Sequence, residues 1–460
     1  MKQFKFFLAI TPYLFLLFLY PLTILAASPD VTVEMTDHGF EPTEITLDIS
    51  SEVVFKNTDK EAHWPASDIH PTHEIYPEFD PKRPVNPGES WVFKPTRVGT
   101  FKFHDHLFPH LRGVMTVEGQ ASQISTGSNS QVISFFKNLM SAISQKIQSL
   151  LGRKPTVLGA AAISQLSPEN QIRYVEDMAK AQGTEKTWGF LKETYKGRGG
   201  NSGNIHDLAH LTGSLIYSEK GFNGLTICSP EFAFGCYHGF LDKAFQNSLD
   251  DLNKAEVSCG KLGTGGPFAS CIHGIGHGVA SFYTSTKLNE SLTSCKRLES
   301  AGQQYCFDGV FMEFARSAPA NFYSRANPLS PCSEVTDSQM KFACGRNQPS
   351  VLMDRFKYSF DDVIKVCLDS NSSEVKEACF DSLGFTLARS GNPDAIISGC
   401  QKISEPTFVA KCTQSAAGEL IFQELPGWQD NAPKVCASLP GNYLSDCQQY
   451  LSNLIKDYGR

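Results

Sequence analysis

The sequence has no cysteine before residue 228 and no histidine after residue 277, although its 460 residues include 14 cysteines and 12 histidines. Imidazole and thiolate are the side chains best suited to binding transition-metal ions. Residues 1–227 therefore contain neither a thiolate ligand nor a disulfide. This segregation divides the chain into a histidine-bearing part and a cysteine-periodic part, which overlap only between residues 228 and 277.

The chain also lacks an excess of positive charge, since its formal net charge is −7. A nucleic-acid-binding protein presents a basic face, so we expect no nucleic-acid partner. One long apolar run, from Phe6 to Ala27, follows Lys2 and Lys5, and no second run of that length occurs. This is the pattern of an export signal, but the run is nearly long enough to span a bilayer. Residues 1–27 are therefore either a signal peptide or an N-terminal membrane anchor. We expect the rest of the protein to be extracytoplasmic: periplasmic, at the cell surface or secreted.

Residues 30–119 alternate like β-strands. β-Branched and aromatic residues recur at every second position, and Pro, Gly, Asn and Asp separate the segments. Short strands at this density, without a helical stretch, predict an all-β sandwich. The clearest strand segments are Val31–Met35, Ile45–Ile49, Val53–Asn57 and Thr100–His104.

Residues 120–164 differ from both flanking regions. Residues 120–130 are rich in Ser, Gly, Gln and Asn, which is the composition of a flexible linker. Between Val132 and Leu150, apolar residues fall on one face of a predicted basic helix. Such a helix either lies on a membrane surface or packs on the next domain.

Three motifs in the strand region occur in a recognisable order. Val53–Asp59 leads into His63, Pro87–Ser90 follows, and Val98–Asp105 ends the series. In order and spacing these motifs resemble the cupredoxin family, the small copper-binding Greek-key sandwiches related to plastocyanin. The resemblance covers residues 30–119 and implies a cupredoxin-like fold with copper as the first expected ion.

The resemblance also implies positions for the copper ligands. The first histidine ligand of the family falls on His63. Asp105 stands where the family has its cysteine, Phe108 where it has the second histidine, and Leu111 where it has the axial methionine. Without a thiolate, the blue-copper site of an electron-transfer protein cannot form.

The same region is crowded with other histidines. His104 and His106 are two residues apart, so on a strand both point to one face while Asp105 points to the other. Nitrogen and oxygen donors of this kind suit copper or zinc. We predict a metal site whose best candidate ligands are His63, His104 and His106, with His73 and Asp105 as alternative candidates. The alternative is a solvent-exposed, histidine-rich loop end that binds no metal.

Residues 165–460 are helical in pattern and periodic in cysteine. The second cysteine of each pair recurs every 33 to 38 residues, a period typical of stacked helical hairpins. Because the chain is exported and lacks Cys-x2-Cys motifs, we predict disulfides rather than zinc-thiolate sites. Each would close a hairpin loop and stabilise it by on the order of 3 kcal/mol. The predicted pairs are Cys228 with Cys236, Cys259 with Cys271, Cys295 with Cys306, Cys332 with Cys344, Cys367 with Cys379, Cys400 with Cys412, and Cys436 with Cys447.

A second group of histidines lies in the first hairpins. His206 and His210, like His273 and His277, are four residues apart and share a helix face. His238 follows Cys236 as His273 follows Cys271, so repeat geometry should bring these two side chains together. The five histidines predict a second metal site or an acid–base cleft. The alternative is a set of buried packing residues between closely spaced helices.

Two carboxylates complete this second prediction. Asp242 and Glu313 follow the second cysteine of their hairpins by roughly one or two helical turns and could join the histidines. The leading hypothesis is an exported or anchored metal-binding protein whose helical repeats bind a protein or small-molecule partner. The alternative is a metal-dependent hydrolase or oxidoreductase using the five histidines. A third is a scaffold without metal. The sequence leaves open whether the protein is an enzyme.

Overall fold

The computed structural model describes residues 31–68, 73, 76–108, 111–119, 163, 165–166, 168–196 and 205–458. The predicted signal or anchor segment at 1–27 and the amphipathic helix at 132–150 lie outside the described residues, as do His70 and His110. Within the described ranges, no helix combines the length and the apolar character that crossing a bilayer requires.

Eight strands form the N-terminal domain and confirm the predicted all-β sandwich. They lie in two four-stranded sheets, of order β2-β1-β4-β6 and β3-β8-β7-β5. β1 runs parallel to β4 and β3 parallel to β8, whereas the other neighbours are antiparallel. The strands are β1 (Val31–Thr36), β2 (Gly39–Glu41), β3 (Glu44–Asp48), β4 (Val53–Asn57), β5 (Pro65–Ser67), β6 (Ser90–Phe93), β7 (Gly99–Asp105) and β8 (Arg112–Glu118).

The sandwich core follows from the alternation of the strands. In β3, Ile45 and Leu47 are buried and their neighbours are exposed, as period-two patterning requires. Aromatic rings fill the space between the sheets, and Phe55, Phe79 and Phe103 have their ring centroids 5.3 to 5.5 Å apart. This core fixes β7, and with it the histidines at the carboxyl end of that strand.

The C-terminal region is all-helical and confirms the second half of the predicted fold. Two 3-10 helices (Gly221–Ile227 and Ala320–Phe322) and one π-helix (Val351–Arg355) join its longer elements. The fifteen α-helices of the described chain are α1 (Pro168–Gln182), α2 (Thr184–Thr194), α3 (Ile205–Lys220), α4 (Gly235–Phe245), α5 (Leu252–Gly260), α6 (Gly266–Phe282), α7 (Leu288–Cys295), α8 (Ser300–Ser317), α9 (Ser338–Ser350), α10 (Phe360–Asp369), α11 (Ser373–Ala388), α12 (Pro393–Cys400), α13 (Pro406–Phe422), α14 (Trp428–Cys436) and α15 (Gly441–Tyr458).

All seven predicted disulfides are present, and none of the fourteen cysteines is free. In most repeats, the first cysteine lies at the end of a short helix and the second near the start of a long one. In the second repeat, for example, the bond joins α5 to α6, and the Cα atoms of its two cysteines are 5.6 Å apart. A disulfide density of this kind indicates an extracytoplasmic protein. The bonds join Cys228 to Cys236, Cys259 to Cys271, Cys295 to Cys306, Cys332 to Cys344, Cys367 to Cys379, Cys400 to Cys412, and Cys436 to Cys447.

The long helices pack side by side in chain order and then close on themselves. α3, α4, α6, α8, α9, α11, α13 and α15 form the row, and α15 also contacts α6. The ring of Phe422, at the end of α13, lies 4.6 Å from Phe234 before α4 and 5.2 Å from Tyr458 in α15. The last hairpins therefore return to the first, where the helical histidines lie.

Candidate functional site

The end of β7 places two histidines on one side of the sandwich. His104 is buried in the strand, and His106 follows it after one residue. His73, from the loop after β5, joins them, and one nitrogen of each ring lies within 4.8 Å of the other two. We call His73, His104 and His106 the sandwich cluster. Its ring centroids are 4.9 to 6.4 Å apart.

Buried carboxylates orient two rings of the sandwich cluster. The Nδ1 atom of His73 lies 2.5 Å from Oδ2 of Asp80, and that of His104 lies 2.9 Å from Oδ1 of Asp68. Because an ionised carboxylate only accepts hydrogen bonds, each Nδ1 donates and each Nε2 keeps its lone pair. The Nε2 atom of His73 lies 3.0 Å from Nδ1 of His106, toward the centre of the cluster.

Burial keeps the imidazoles of His104 and His106 neutral. It lowers the pKa of His104, and together with His73 and His104 it lowers the pKa of His106 to about 3. Burial alone would raise the pKa of Asp68, but His104, Arg112 and Lys102 lower it to about 2. A neutral ring is the form of histidine that binds metal ions, so the electrostatics suit a ligand set.

The structure places His63 and Asp105 away from the sandwich cluster. Asp105 points to the opposite face of β7, where its Oδ2 lies 2.5 Å from Nδ1 of His63. The Nε2 atom of His63 lies 3.2 Å from Asp59, and the ring of Phe108 lies 5.6 Å from the His63 ring. Burial lowers the pKa of His63, but Asp105 and Asp59 outweigh it and raise the pKa. His63 and Asp105, at the positions to which the resemblance assigns the first histidine ligand and the cysteine, thus pair with each other. This pair contains no thiolate and does not fit a blue-copper centre.

The five helical histidines do meet in space. We call His206 and His210 of α3, His238 of α4, and His273 and His277 of α6 the helical cluster. The rings of His238 and His277 are 4.4 Å apart, and those of His210 and His238 are 5.3 Å apart. Two overlapping sets of three nitrogens form, and His238 belongs to both.

Groups outside the helical cluster fix the hydrogen positions on its rings. The Nδ1 atom of His206 donates to the carbonyl oxygen of Phe232 at 2.8 Å. Neither this carbonyl group nor Asp308 is marked by a local sequence pattern as the partner of a histidine. Asp308 lies 3.1 Å from Nδ1 of His273 and occupies the residue two after Cys306, where the first hairpins have histidine. This equivalent position in the repeat is the sequence feature from which the nearness of Asp308 to the histidines could have been predicted.

Glu313 and Asp242, both predicted from sequence, lie beside the helical cluster. Glu313 Oε2 is 3.0 Å from Nδ1 of His277, and the carboxylate also accepts a hydrogen bond from Ser317. Asp242 Oδ2 lies 3.9 Å from Nδ1 of His210. Burial raises the pKa of Asp242 to about 7, whereas the His277 contact holds the pKa of Glu313 below its ordinary value despite burial.

The helical cluster borders a cavity of about 270 Å³ between the two domains. The helical domain contributes four of its five clustered histidines, together with Asp242, Glu313 and Arg316. We call this space the interdomain cavity. The sandwich contributes Asp68, Lys102, Leu107, Phe108 and Arg112.

The cationic groups of this cavity were missed by sequence reasoning, because no local pattern marks them. Arg112 bridges the domains, with its guanidinium nitrogens 3.5 Å from Asp68 and 3.9 Å from Asp242. Lys102 donates a hydrogen bond to the carbonyl oxygen of Phe282, and burial lowers the pKa of Lys102 to about 8. The cavity therefore holds buried charges of both signs beside neutral imidazoles.

Comparison with known proteins identifies the N-terminal domain. Residues 9–117 match the family of cupredoxin-like domains. The N-terminal domain is cupredoxin-like. This confirms the resemblance seen in the sequence, whereas copper and the individual ligands of the cupredoxin-like domain stay predictions. No curated protein matches the chain.

Several solved cupredoxins are similar to the cupredoxin-like domain. A novel purple cupredoxin from Nitrosopumilus maritimus is 18% identical, and the match covers 19% of this chain and 100% of that one, with a TM-score of 0.18. A mutant fern plastocyanin is 22% identical over 19% of this chain and 99% of its own, with a TM-score of 0.17. An amicyanin variant is 19% identical over 19% of this chain and 81% of its own, with a TM-score of 0.17.

Proposed function

We propose that this protein is an extracytoplasmic metal-binding protein whose cupredoxin-like domain binds copper through the sandwich cluster. One observation carries the proposal. Three imidazole nitrogens, from His73, His104 and His106, lie within 4.8 Å of one another at the end of β7. Three nitrogen donors at this spacing suit a borderline ion, and copper(II) forms the most stable complexes among the divalent first-row metals.

The surroundings of the sandwich cluster support this proposal. A histidine that binds a metal usually donates its other ring nitrogen to a carboxylate or carbonyl group, which fixes the ring and raises its basicity. Asp80 and Asp68 stand in this relation to His73 and His104. The ion would thus lie on the opposite face of β7 from the position that the cupredoxin resemblance assigns to copper. Zinc is the second ion that this donor set suits.

The remaining parts of the chain have proposed roles of their own. The N-terminal segment would hold the protein at a membrane if it is retained. The helical domain would bind a protein or small-molecule partner at the interdomain cavity, where its histidines, Asp242 and Arg316 are grouped. A second candidate function, a metal-dependent hydrolase or oxidoreductase, is favoured by the convergence of the helical cluster on this cavity.

Copper analysis of variants of the full-length chain tests the proposal. The metal-free protein is exposed to copper(II), passed through a desalting column and analysed for copper content and by electron paramagnetic resonance. We expect His106→Ala to lose one equivalent of copper relative to the wild type. We expect His38→Ala to lose none, because His38 lies on an exposed turn. The wild-type copper should lack the intense thiolate absorption, because no cysteine precedes residue 228.

Two outcomes would contradict the proposal. Equal copper content in the wild type and His106→Ala would remove the sandwich cluster as the site. If His63→Ala loses one equivalent of copper and His106→Ala loses none, the ion binds instead on the His63 side of β7.

A further inference from the structure

We propose that the helical domain carries a separate metal centre, in which His238, His273 and His277 bind one divalent transition-metal ion at the wall of the interdomain cavity. This centre does not depend on copper in the sandwich cluster, because the two ligand sets share no residue. Three lines of geometry support it.

The first is a close approach of two nitrogen lone pairs. Nδ1 of His273 contacts Asp308 and Nδ1 of His277 contacts Glu313, so the ring hydrogens lie on the Nδ1 atoms. The two Nε2 atoms then both carry lone pairs, yet they lie 3.1 Å apart. Two lone pairs repel at this distance unless a cation lies beside them. A metal ion bound by both nitrogens supplies that cation, and the carboxylates match the partners that metal-binding histidines usually have.

The second is a buried ring nitrogen without a hydrogen-bonding partner. His238 is only 5% exposed. Its Nε2 atom is buried and has no hydrogen-bonding partner among the described residues. A buried polar atom left in this state is destabilising. The ring of His238 lies 4.4 Å from that of His277 and 6.0 Å from that of His273, so the same ion would complete its coordination.

The third line of geometry distinguishes the triad of His238, His273 and His277 from the triad of His206, His210 and His238. His206 and His210 also bring their Nε2 atoms to 3.2 Å. However, the Nδ1 atom of His210 lies 3.9 Å from Asp242, which is beyond hydrogen-bonding distance. Because only His273 and His277 both contact carboxylates, their rings are the better oriented pair, and we assign the ion to them.

Three histidine ligands leave one position of a tetrahedral ion open. Zinc sites with three protein ligands and an open fourth position bind water or substrate there. The open position would face the interdomain cavity, which two of the three ligands, His238 and His277, line together with Arg112 and Arg316. The fourth ligand would then be water or a small oxygen-donor molecule that enters between the domains.

Cobalt(II) binding to the full-length chain tests the inference. The background is His73→Ala/His106→Ala, so that the sandwich cluster does not contribute. We expect one equivalent of cobalt, with the intense visible absorption of a four-coordinate ion. His273→Gln should abolish this signal, and the matched change His206→Gln should keep it. Glu313→Gln retains all three ligands and should weaken cobalt binding about 10–100-fold. Circular dichroism verifies that each variant is folded.

Two results would contradict the inference. A folded background protein that takes up no cobalt would mean that the close nitrogens share a proton only, and the inference would be wrong. Loss of cobalt in His206→Gln with retention in His273→Gln would also overturn it. Neither result bears on copper in the sandwich cluster, which the His106→Ala comparison tests by itself.

Discussion

At the scale of single residues, the two histidine clusters use the same chemistry in unrelated folds. Asp68 and Asp80 contact Nδ1 atoms in the sandwich, and Asp308 and Glu313 do so in the helical domain. In each case the carboxylate fixes the tautomer and leaves Nε2 as an acceptor. This shared arrangement distinguishes both clusters from histidines that only fill a core, which need no oriented acceptor nitrogen.

The raised pKa of Asp242 makes the free energy of unfolding depend on pH. The pKa of Asp242 is about 7 in the folded protein, because burial disfavours the carboxylate, against an ordinary value of 3.8. Between these pH values the unfolded chain has released the proton and the folded chain retains it. The free energy of unfolding therefore falls as the pH rises from about 4 to 7. Asp242→Asn should remove this dependence, so that its melting temperature exceeds that of the wild type by a margin that grows with pH.

Thermal unfolding at pH 4.5, 6 and 8, followed by circular dichroism, measures that margin. Asp250→Asn is the control, because Asp250 is exposed in the loop after α4 and should not change the shape of the profile. Parallel melting-temperature profiles for the wild type and Asp242→Asn would show that Asp242 does not titrate in this range.

At the scale of elements, close helix packing brings the helical cluster together. A Cβ atom on Gly239 in α4 would lie 1.8 Å from the carbonyl oxygen of His210 in α3. A Cβ atom on Gly213 would lie 2.0 Å from the carbonyl oxygen of Cys236. Only glycine fits at such a crossing, although it lowers helix propensity. The two glycines therefore set the distance between His210 and His238.

Gly239→Ala should separate these two helices. The added methyl group overlaps the α3 backbone, which cannot move aside as a flexible side chain can. We expect a loss of about 1–3 kcal/mol in the free energy of unfolding, measured by urea denaturation. The control is Gly189→Ala in α2, where a Cβ atom meets nothing within 4 Å and Gly189 is exposed. That variant should be more stable by about 0.5–1 kcal/mol. Equal effects in both variants would contradict close packing at Gly239.

The elements were predictable because their signals are local. Alternation in segments such as Ile45–Ile49 predicted strands, and the recurrence of cysteine predicted every disulfide. The i and i+4 spacing of His273 and His277 placed them on one face, as the structure shows. The position of His63 relative to His104 and His106 is not set by such a local signal. It depends on which face of β7 the loop after β4 approaches, and that is decided by the contact between His63 and Asp105.

At the scale of the whole molecule, the two domains meet through charged groups. Asp68 contacts His104 on one side and Arg112 on the other, and Arg112 reaches Asp242, which lies beside His210. A row of acidic and basic side chains thus connects the sandwich cluster to the helical cluster. No sequence pattern predicts this row, because its central pair, Arg112 and Asp242, comes from two domains and lies more than a hundred residues apart.

A substitution of Lys102 tests whether the charged contacts between the domains hold them together. The ammonium group of Lys102 donates to the carbonyl oxygen of Phe282 and lies 4.5 Å from the centre of the Phe282 ring. Lys102→Glu would replace the donor by a carboxylate that faces this carbonyl oxygen and is repelled by Asp68 and Asp242. We expect the domains to separate, which small-angle X-ray scattering would detect as a larger radius of gyration.

The matched charge reversal is Lys56→Glu, at an exposed position of β4 in the other sheet. It changes the net charge equally and should leave the radius of gyration unchanged. If Lys102→Glu also scatters like the wild type, the domain contact does not depend on this lysine.

If the domains separate, Arg112 leaves the interdomain cavity together with the sandwich. Cobalt in the helical domain should then exchange faster with a chelator, because the wall that covers its open position has been removed.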